Sequence, residues 1–480
     1  MQNNRQHILP LSFVVAVYVV LAILSRNYCY FWDTVQQISN EAHWFYLSDF
    51  RSLLIPADNE FGVSATGYHP PLLGITTAFL WKIFGYELWV SHAVSTLCAA
   101  VLIFNAQKLC SIVVQRYAGW IALIVLLDPV VLTQFVCASP DFVLFTAFVV
   151  ALRAVFDKKP VVLALALIFL CGINMRGVFA ALMLFAGHVF YSCQEEKSFS
   201  IKIIYKNILP YLPAIILLVA YYALYFSQSG WFFGGGRSNY SEHYSMPHDL
   251  QTVLKHFAEF VWRQLEYGRF FVWLLAAVMI LKVYRAKDML FNKREKMLGL
   301  IIVLLTALYL LFVFITQMPF GTRYFMPQLL LLVLFAFSLL SRYFSEKKLK
   351  VIIGLTLFFQ LTGHFWVYPE KVAQPWDATL LHIPYYELRK ECFDYIDEND
   401  IDYNELAAGF ALYGNRQYVE LIPEKKIVGN DMEKCRFFIY SNISNLEDEK
   451  VDELKNPQQW KMIKHVEKAP IFISIYQKAK

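Results

Sequence analysis

Short segments place charged side chains where an otherwise apolar chain has few of them: Asp33 in FWDTVQQ, His69 in HPPLL, Asp141 in SPDFVLF, Arg176 in MRG, Arg237 in GGGR, and Arg323 with Tyr324 in GTRYFMP. A positioned carboxylate such as Asp33 or Asp141 can take a proton from a hydroxyl. Arginine holds an oxyanion through the two parallel bonds of its planar fork, so Arg176, Arg237 and Arg323 suit a phosphate. His69 adds a fourth basic position. Each has a structural alternative. Asp33 with Gln36 three residues on fits an acidic capping box. Asp141 after Pro140 fits a cap or a dipole partner at a helix start. Arg176 and Arg323 fit helix-end side chains that snorkel to an interface, and His69 before two prolines fits a turn. Arg237 lies in a glycine-rich loop of the kind that closes over a substrate.

The elements that must position these residues are membrane helices. Of 480 residues, 58% are hydrophobic, 17% aromatic and only 17% charged, with mean hydropathy +0.43. A soluble chain of this size is about a quarter charged, so lipid is the implied solvent. The formal charge of +5 and pI near 8.6 come from basic residues in short loops, a pattern that orients a membrane protein and does not call for nucleic acid. Apolar runs of spanning length occupy 8–26, 88–110, 118–137, 140–157, 160–176, 178–193, 207–228, 268–285, 297–317, 325–342 and 350–366, which predicts about eleven spans. The first is long enough to span, and no small-residue cleavage site follows it, so it is expected to be a helix and not a leader. Alternate loops hold Arg5, Lys108 and Arg116, Arg153 to Lys159, Lys197 to Lys206, Lys282 to Lys296, and Arg342 to Lys350. The positive-inside rule then puts the N-terminus in the cytoplasm and residues 367–480 outside. Asp128 is the main charge within the spans and no internal repeat is visible, which argues against a transporter or flippase.

Two outer loops, 27–87 and 229–267, are too long to be connectors. In the first, Val35, Ile38, Ala42 and Phe45 recur at helical steps with Gln36, Gln37, Asn40 and Glu41 between them, which predicts an amphipathic helix lying along the membrane surface. Residues 70–85 are apolar but short, and an interfacial or re-entrant helix is expected. In the second loop, Leu250, Leu254, Phe257 and Val261 line another amphipathic helix after the glycines. The sequence therefore divides into a membrane domain, 1–366, and a small α/β domain, 367–480. In the latter, Leu388, Cys392, Phe393 and Ile396 mark a helix, and CRFFIYS (435–441) and IFISIYQ (471–477) mark strands. Eight cysteines show no metal-like spacing. Cys392 and Cys435 share the tail and could pair in an oxidising compartment.

Taken in order, these motifs make the chain resemble the GT-C superfamily of membrane glycosyltransferases, in particular the bacterial branch related to protein O-mannosyltransferases and lipid A aminoarabinose transferase. The resemblance covers residues 1 to about 340. It implies a polytopic α-helical fold with a long outer loop opening on an acidic residue, here Asp33, and ending on a basic residue and two prolines, here His69 to Leu73. It also implies inverting transfer of a sugar from a polyprenyl phosphate to a hydroxyl of a lipid, glycan or protein at the outer face of a bacterial inner membrane, with the tail periplasmic. Asp33 would be the base, with Asp141 as a second catalytic carboxylate. His69, Arg176, Arg237, Arg323 and Tyr324 would meet the donor phosphate. Thr34 stands where many relatives carry a second acidic residue, so no metal or other cofactor is indicated.

Overall fold

In the computed structural model, which describes residues 2–52, 55, 69–114, 116–229, 245–247, 249–286, 290–444 and 446–479, each of the apolar runs folds as helix. Most begin with a proline or a polar cap. Pro129, Pro140, Pro160 and Pro384 each sit in a first turn, where no amide proton is needed. The run at 118–137 is broken. Ala118–Leu126 and Pro129–Val136 meet at 57°, because Asp128 ends the first helix and caps the second, accepting from Val130 N at 3.1 Å and Val131 N at 3.3 Å. Asp128 is therefore a cap at a helix break, not a charge in mid-span. Among the described residues five helices are long and apolar enough to cross a membrane alone, or up to seven if each bent pair counts as one span.

Pro140–Phe156 and Met326–Tyr343 are buried around nearly their whole circumference, so these two form the centre of the bundle. The surrounding helices turn apolar side chains outward, among them Val19, Leu97, Val161, Ile216, Val303 and Phe358. An apolar surface of that extent is compatible with lipid and not with water. At one end of the bundle, Glu295 closes a capping box with Asn292 and accepts Arg342 Nη1 at 2.6 Å.

The helix expected at 33–50 forms, first as a π turn at Val35–Asn40 and then as Glu41–Leu47. Its predicted apolar face is buried, but so are Asn40, Glu41 and His43 on the side that should have met water. Leu72–Phe84 covers one flank so closely that a Cβ on Gly74 would lie 2.4 Å from Glu41 Cβ. The C-terminal domain covers another. Ser39 Oγ donates to the Tyr418 carbonyl, and Tyr86 Oη donates to that of Gln417 at 3.2 Å. The segment is thus sandwiched instead of lying on a surface. Leu250–Leu265, by contrast, leaves Leu250, Leu254, Phe257 and Val261 exposed and meets Phe270–Arg285 at 90°.

The C-terminal domain holds a four-stranded sheet in the order Leu406–Ala408, Phe437–Ser441, Ile471–Lys478, Trp460–Lys468, with the first pair parallel and the rest antiparallel. Period-two alternation sends Phe437, Ile439, Ile473 and Ile475 toward Pro384–Glu398, and Phe438, Tyr440 and Tyr476 toward Asp448–Leu454. Cys392 belongs to the first face and Cys435 to the second, so the sheet separates them. Both are free, and the pairing the sequence allowed does not form. Phe31 and Cys137 from the helical part join the first core, along with Trp376. The stretch after 366, set apart by its composition, is therefore packed into the helical part.

A candidate active site of five interlocked charges

Asp33 follows a backbone turn that side chains rarely adopt. Trp32 has φ of 59°, in the left-handed region. Thr34 closes that turn, its Oγ1 accepting from Phe31 N at 2.7 Å and donating to Phe31 O at 2.6 Å. Threonine at this position is thus a structural fastener. The turn aims the Asp33 carboxylate at Arg323 Nη2, and the Thr34 side chain does not cap the helix that follows. The Gln36 side chain, the other half of the capping-box alternative, lies outside the described residues.

Asp141 stands in the first turn of Pro140–Phe156, whose cap is Ser139, accepting from Asp141 N at 3.1 Å. Its two oxygens accept from Arg176 Nη2 at 2.7 and 2.9 Å, and Oδ2 also accepts from Arg323 Nε at 2.9 Å. Arg176 is set by the cap at Asn174, which accepts from Gly177 N at 3.3 Å. Arg323 lies in the tight turn Thr322–Phe325 ahead of the buried helix, and its third nitrogen, Nη1, reaches Asp377. All three nitrogens of Arg323 therefore carry a different carboxylate. Tyr324 lies beneath both cations, with the guanidinium of Arg176 4.0 Å and that of Arg323 5.1 Å from its ring centre.

His69 is beside this cluster. Its carbonyl accepts from Tyr221 Oη at 2.8 Å. Burial first, and then the nearby Arg176 charge, push its pKa down to about 3, so the ring is neutral at physiological pH. Arg237 lies outside the described residues.

Asp377 was not singled out by sequence. It belongs to the short turn Trp376–Ala378 in the segment following the last apolar run, and its carbonyl accepts from Gln134 Nε2 at 2.5 Å. The available signal was its neighbourhood: a Pro-Trp-Asp run directly after a membrane helix, where a tryptophan and an acid both become buried.

A small cleft opens against these groups. Asp141, Arg176, Arg323 and Tyr324 form its polar side, and Leu144, Ala180, Leu305, Tyr309 and Met326 its apolar side. Exposure divides the charges. Asp141 and Asp377 are 5% and 6% exposed, whereas the Asp33 side chain is 29% exposed and Arg176 22%. Arg176 Nε is buried without a hydrogen-bond partner among the described residues. The arrangement sets a partly exposed cation, Arg176, beside apolar side chains and presents one accessible carboxylate, Asp33.

No family model and no curated protein matches the sequence. Two solved structures do match in fold, both of ArnT from Cupriavidus metallidurans. One is bound to undecaprenyl phosphate, with a TM-score of 0.52 at 11% identity over 97% of each chain. The other is the apo state, with a TM-score of 0.53 at 10% identity over 97% of each chain. The chain therefore shares the fold of ArnT over 97% of its length.

Proposed function

We propose that this protein is a membrane glycosyltransferase that moves a sugar from a polyprenyl phosphate to a hydroxyl acceptor. The observation that carries the reading is the cleft where the partly exposed Arg176 adjoins an apolar wall. A polyprenyl phosphate has that chemistry: an anionic head directly joined to a long hydrocarbon. The fold agrees, since a structure sharing it was crystallised with undecaprenyl phosphate.

In this mechanism the acceptor oxygen attacks the anomeric carbon as the bond from that carbon to the phosphate oxygen breaks. The configuration inverts, the acceptor proton passes to Asp33, and polyprenyl phosphate leaves. Asp33 is the base because it is the most accessible of the three carboxylates. Asp141 is held by two arginines and serves to aim them. Negative charge grows on the phosphate as the bond breaks, and Arg176 is placed to meet it. The described cluster holds three carboxylates and two guanidinium groups. A further cation is needed there, and we assign that role to Arg237, which lies outside the described residues. Tyr324 backs the guanidinium groups, and His69 contributes as a neutral hydrogen-bonding side chain. The reaction takes place at the outer face of a bacterial inner membrane, with the N-terminus cytoplasmic and the C-terminal domain periplasmic. The acceptor is a lipid, glycan or protein hydroxyl.

The test is binding of undecaprenyl phosphate to purified protein, wild type beside Arg176→Ala. Micromolar binding that the substitution weakens about tenfold or more supports the reading. No binding by the wild type overturns it and brings a transporter to the front.

A further inference from the structure

A second set of buried charges lies on the far side of the Thr322–Phe325 turn, and the proposed chemistry does not use it. Asp128, Glu266 and Arg269 are each at most 1% exposed. Arg269 donates to both oxygens of Asp128, from Nη2 at 2.6 Å and Nε at 3.0 Å. Its remaining nitrogen, Nη1, donates to the Thr322 carbonyl at 3.1 Å. The Thr322 hydroxyl donates to Glu266, which also accepts from Tyr368 Oη at 2.6 Å and from Arg263 Nη1 at 3.2 Å. Every charge here is answered by another, so the set has no call for a ligand.

What it does hold is backbone. Thr322 immediately precedes Arg323, and Asp128 caps the helix whose Gln134 grips the Asp377 carbonyl. Tyr267 Oη donates to the Pro375 carbonyl at 3.4 Å, and Arg263 Nη2 to that of Ala373 at 3.3 Å. Both partners of the Arg323–Asp377 ion pair are thus fixed through their main chains by one connected network. Its anchor has no slack. Gly268 has φ of 81°, and a Cβ there would lie 2.1 Å from the Phe359 carbonyl oxygen. Replacing buried ion pairs with apolar residues is often neutral or stabilising, so their presence points to a fixed geometry more than to stability.

We infer that Asp128, Arg269 and Glu266 are positioning residues that hold the Arg323 turn and the Asp377 segment in register, and so set how Arg176, Arg323 and Asp33 meet the donor. The inference rests on the glycosyltransferase reading. The experiment compares full-length wild type, Arg269→Lys and the paired Asp128→Asn/Arg269→Met in detergent. The Arg269→Lys variant keeps a positive charge opposite Asp128, but a single ammonium cannot hold both Asp128 and the Thr322 carbonyl. The paired variant leaves no lone buried charge. Two quantities are read: amide hydrogen exchange at 322–325 and 376–378, and affinity for undecaprenyl phosphate. Exchange at both segments at least tenfold faster, with affinity down at least tenfold and the thermal midpoint of Arg269→Lys within a few degrees of wild type, supports the inference. Wild-type exchange and affinity in Arg269→Lys overturn it. Wild type that fails to bind undecaprenyl phosphate overturns the functional reading instead, and the exchange data still decide whether the network holds the two segments.

Discussion

At the residue scale, the division of labour among three carboxylates is set by what already occupies them. Asp141 takes two arginines and Asp377 takes Arg323 from deep burial, while Asp33 keeps an accessible edge. Asp33→Asn preserves shape and hydrogen bonding to Arg323 but cannot accept a proton. It is expected to bind undecaprenyl phosphate as wild type does and to lose transfer about 100-fold or more. Retained transfer in a polyprenyl-phosphate-sugar assay removes Asp33 as the base. The two arginines differ in the same way. Arg176 is partly exposed beside the cleft, whereas Arg323 is buried with every nitrogen engaged. Arg176→Ala should weaken the lipid more than Arg323→Ala does, and Arg323→Ala should lower the thermal midpoint more, because it leaves three carboxylates facing one another. Calorimetry and a thermal-shift series on the two variants check both halves. Asp33, Asp141, Arg176 and Arg323 were visible in the sequence as charges in an apolar chain, and the structure brings them together. Asp377 was not, since it lies in an aperiodic segment amid the ordinary charges of a soluble tail.

At the element scale, apolar runs and hydrophobic period located the helices, the Leu250–Leu265 helix among them, and the strands Phe437–Ser441 and Ile471–Lys478, but not Trp460–Lys468. It failed where a second layer arrives from far along the chain. Asn40 and Glu41 look like a solvated face until the C-terminal domain and Leu72–Phe84 close over them. The turn that carries Arg176 shows how tightly such elements meet. A Cβ at Gly177 would lie 1.7 Å from the Leu170 carbonyl oxygen, backbone that cannot swing aside. Gly177→Ala must push Pro160–Ile173 and Met175–Glu196 apart, which costs about 3 kcal/mol by the usual toll of overpacking. The expected result is a thermal midpoint several degrees lower together with weaker undecaprenyl phosphate binding, as Arg176 moves with the helix. A midpoint equal to wild type would show that the two helices separate freely and that the turn does not fix Arg176.

At the scale of the whole molecule, buried polar side chains join the helical bundle to the C-terminal domain. His43 lies under Tyr418 with ring centres 4.1 Å apart, and His382 stacks on Phe31 at 4.8 Å. Burial pushes the pKa of His43 down to about 3 and that of His382 to about 4, as it does His69 to about 3. In the unfolded chain each returns to about 6.5. Above that value both states are neutral and these histidines make stability independent of pH. Below it the unfolded state takes up protons that the folded state refuses. Stability therefore falls as pH drops from about 6.5 toward 4, by up to about 1.4 kcal/mol per unit for each histidine. In detergent, the thermal midpoint should be level from pH 8 to 7 and decline steeply below pH 6. His43→Gln keeps a polar side chain in the joint but removes one titrating group, so its midpoint should fall less between pH 7 and 4 than wild type does. Equal slopes in the two proteins would mean that His43 is protonated without unfolding, and that the joint between bundle and domain opens locally in acid before the rest of the molecule yields.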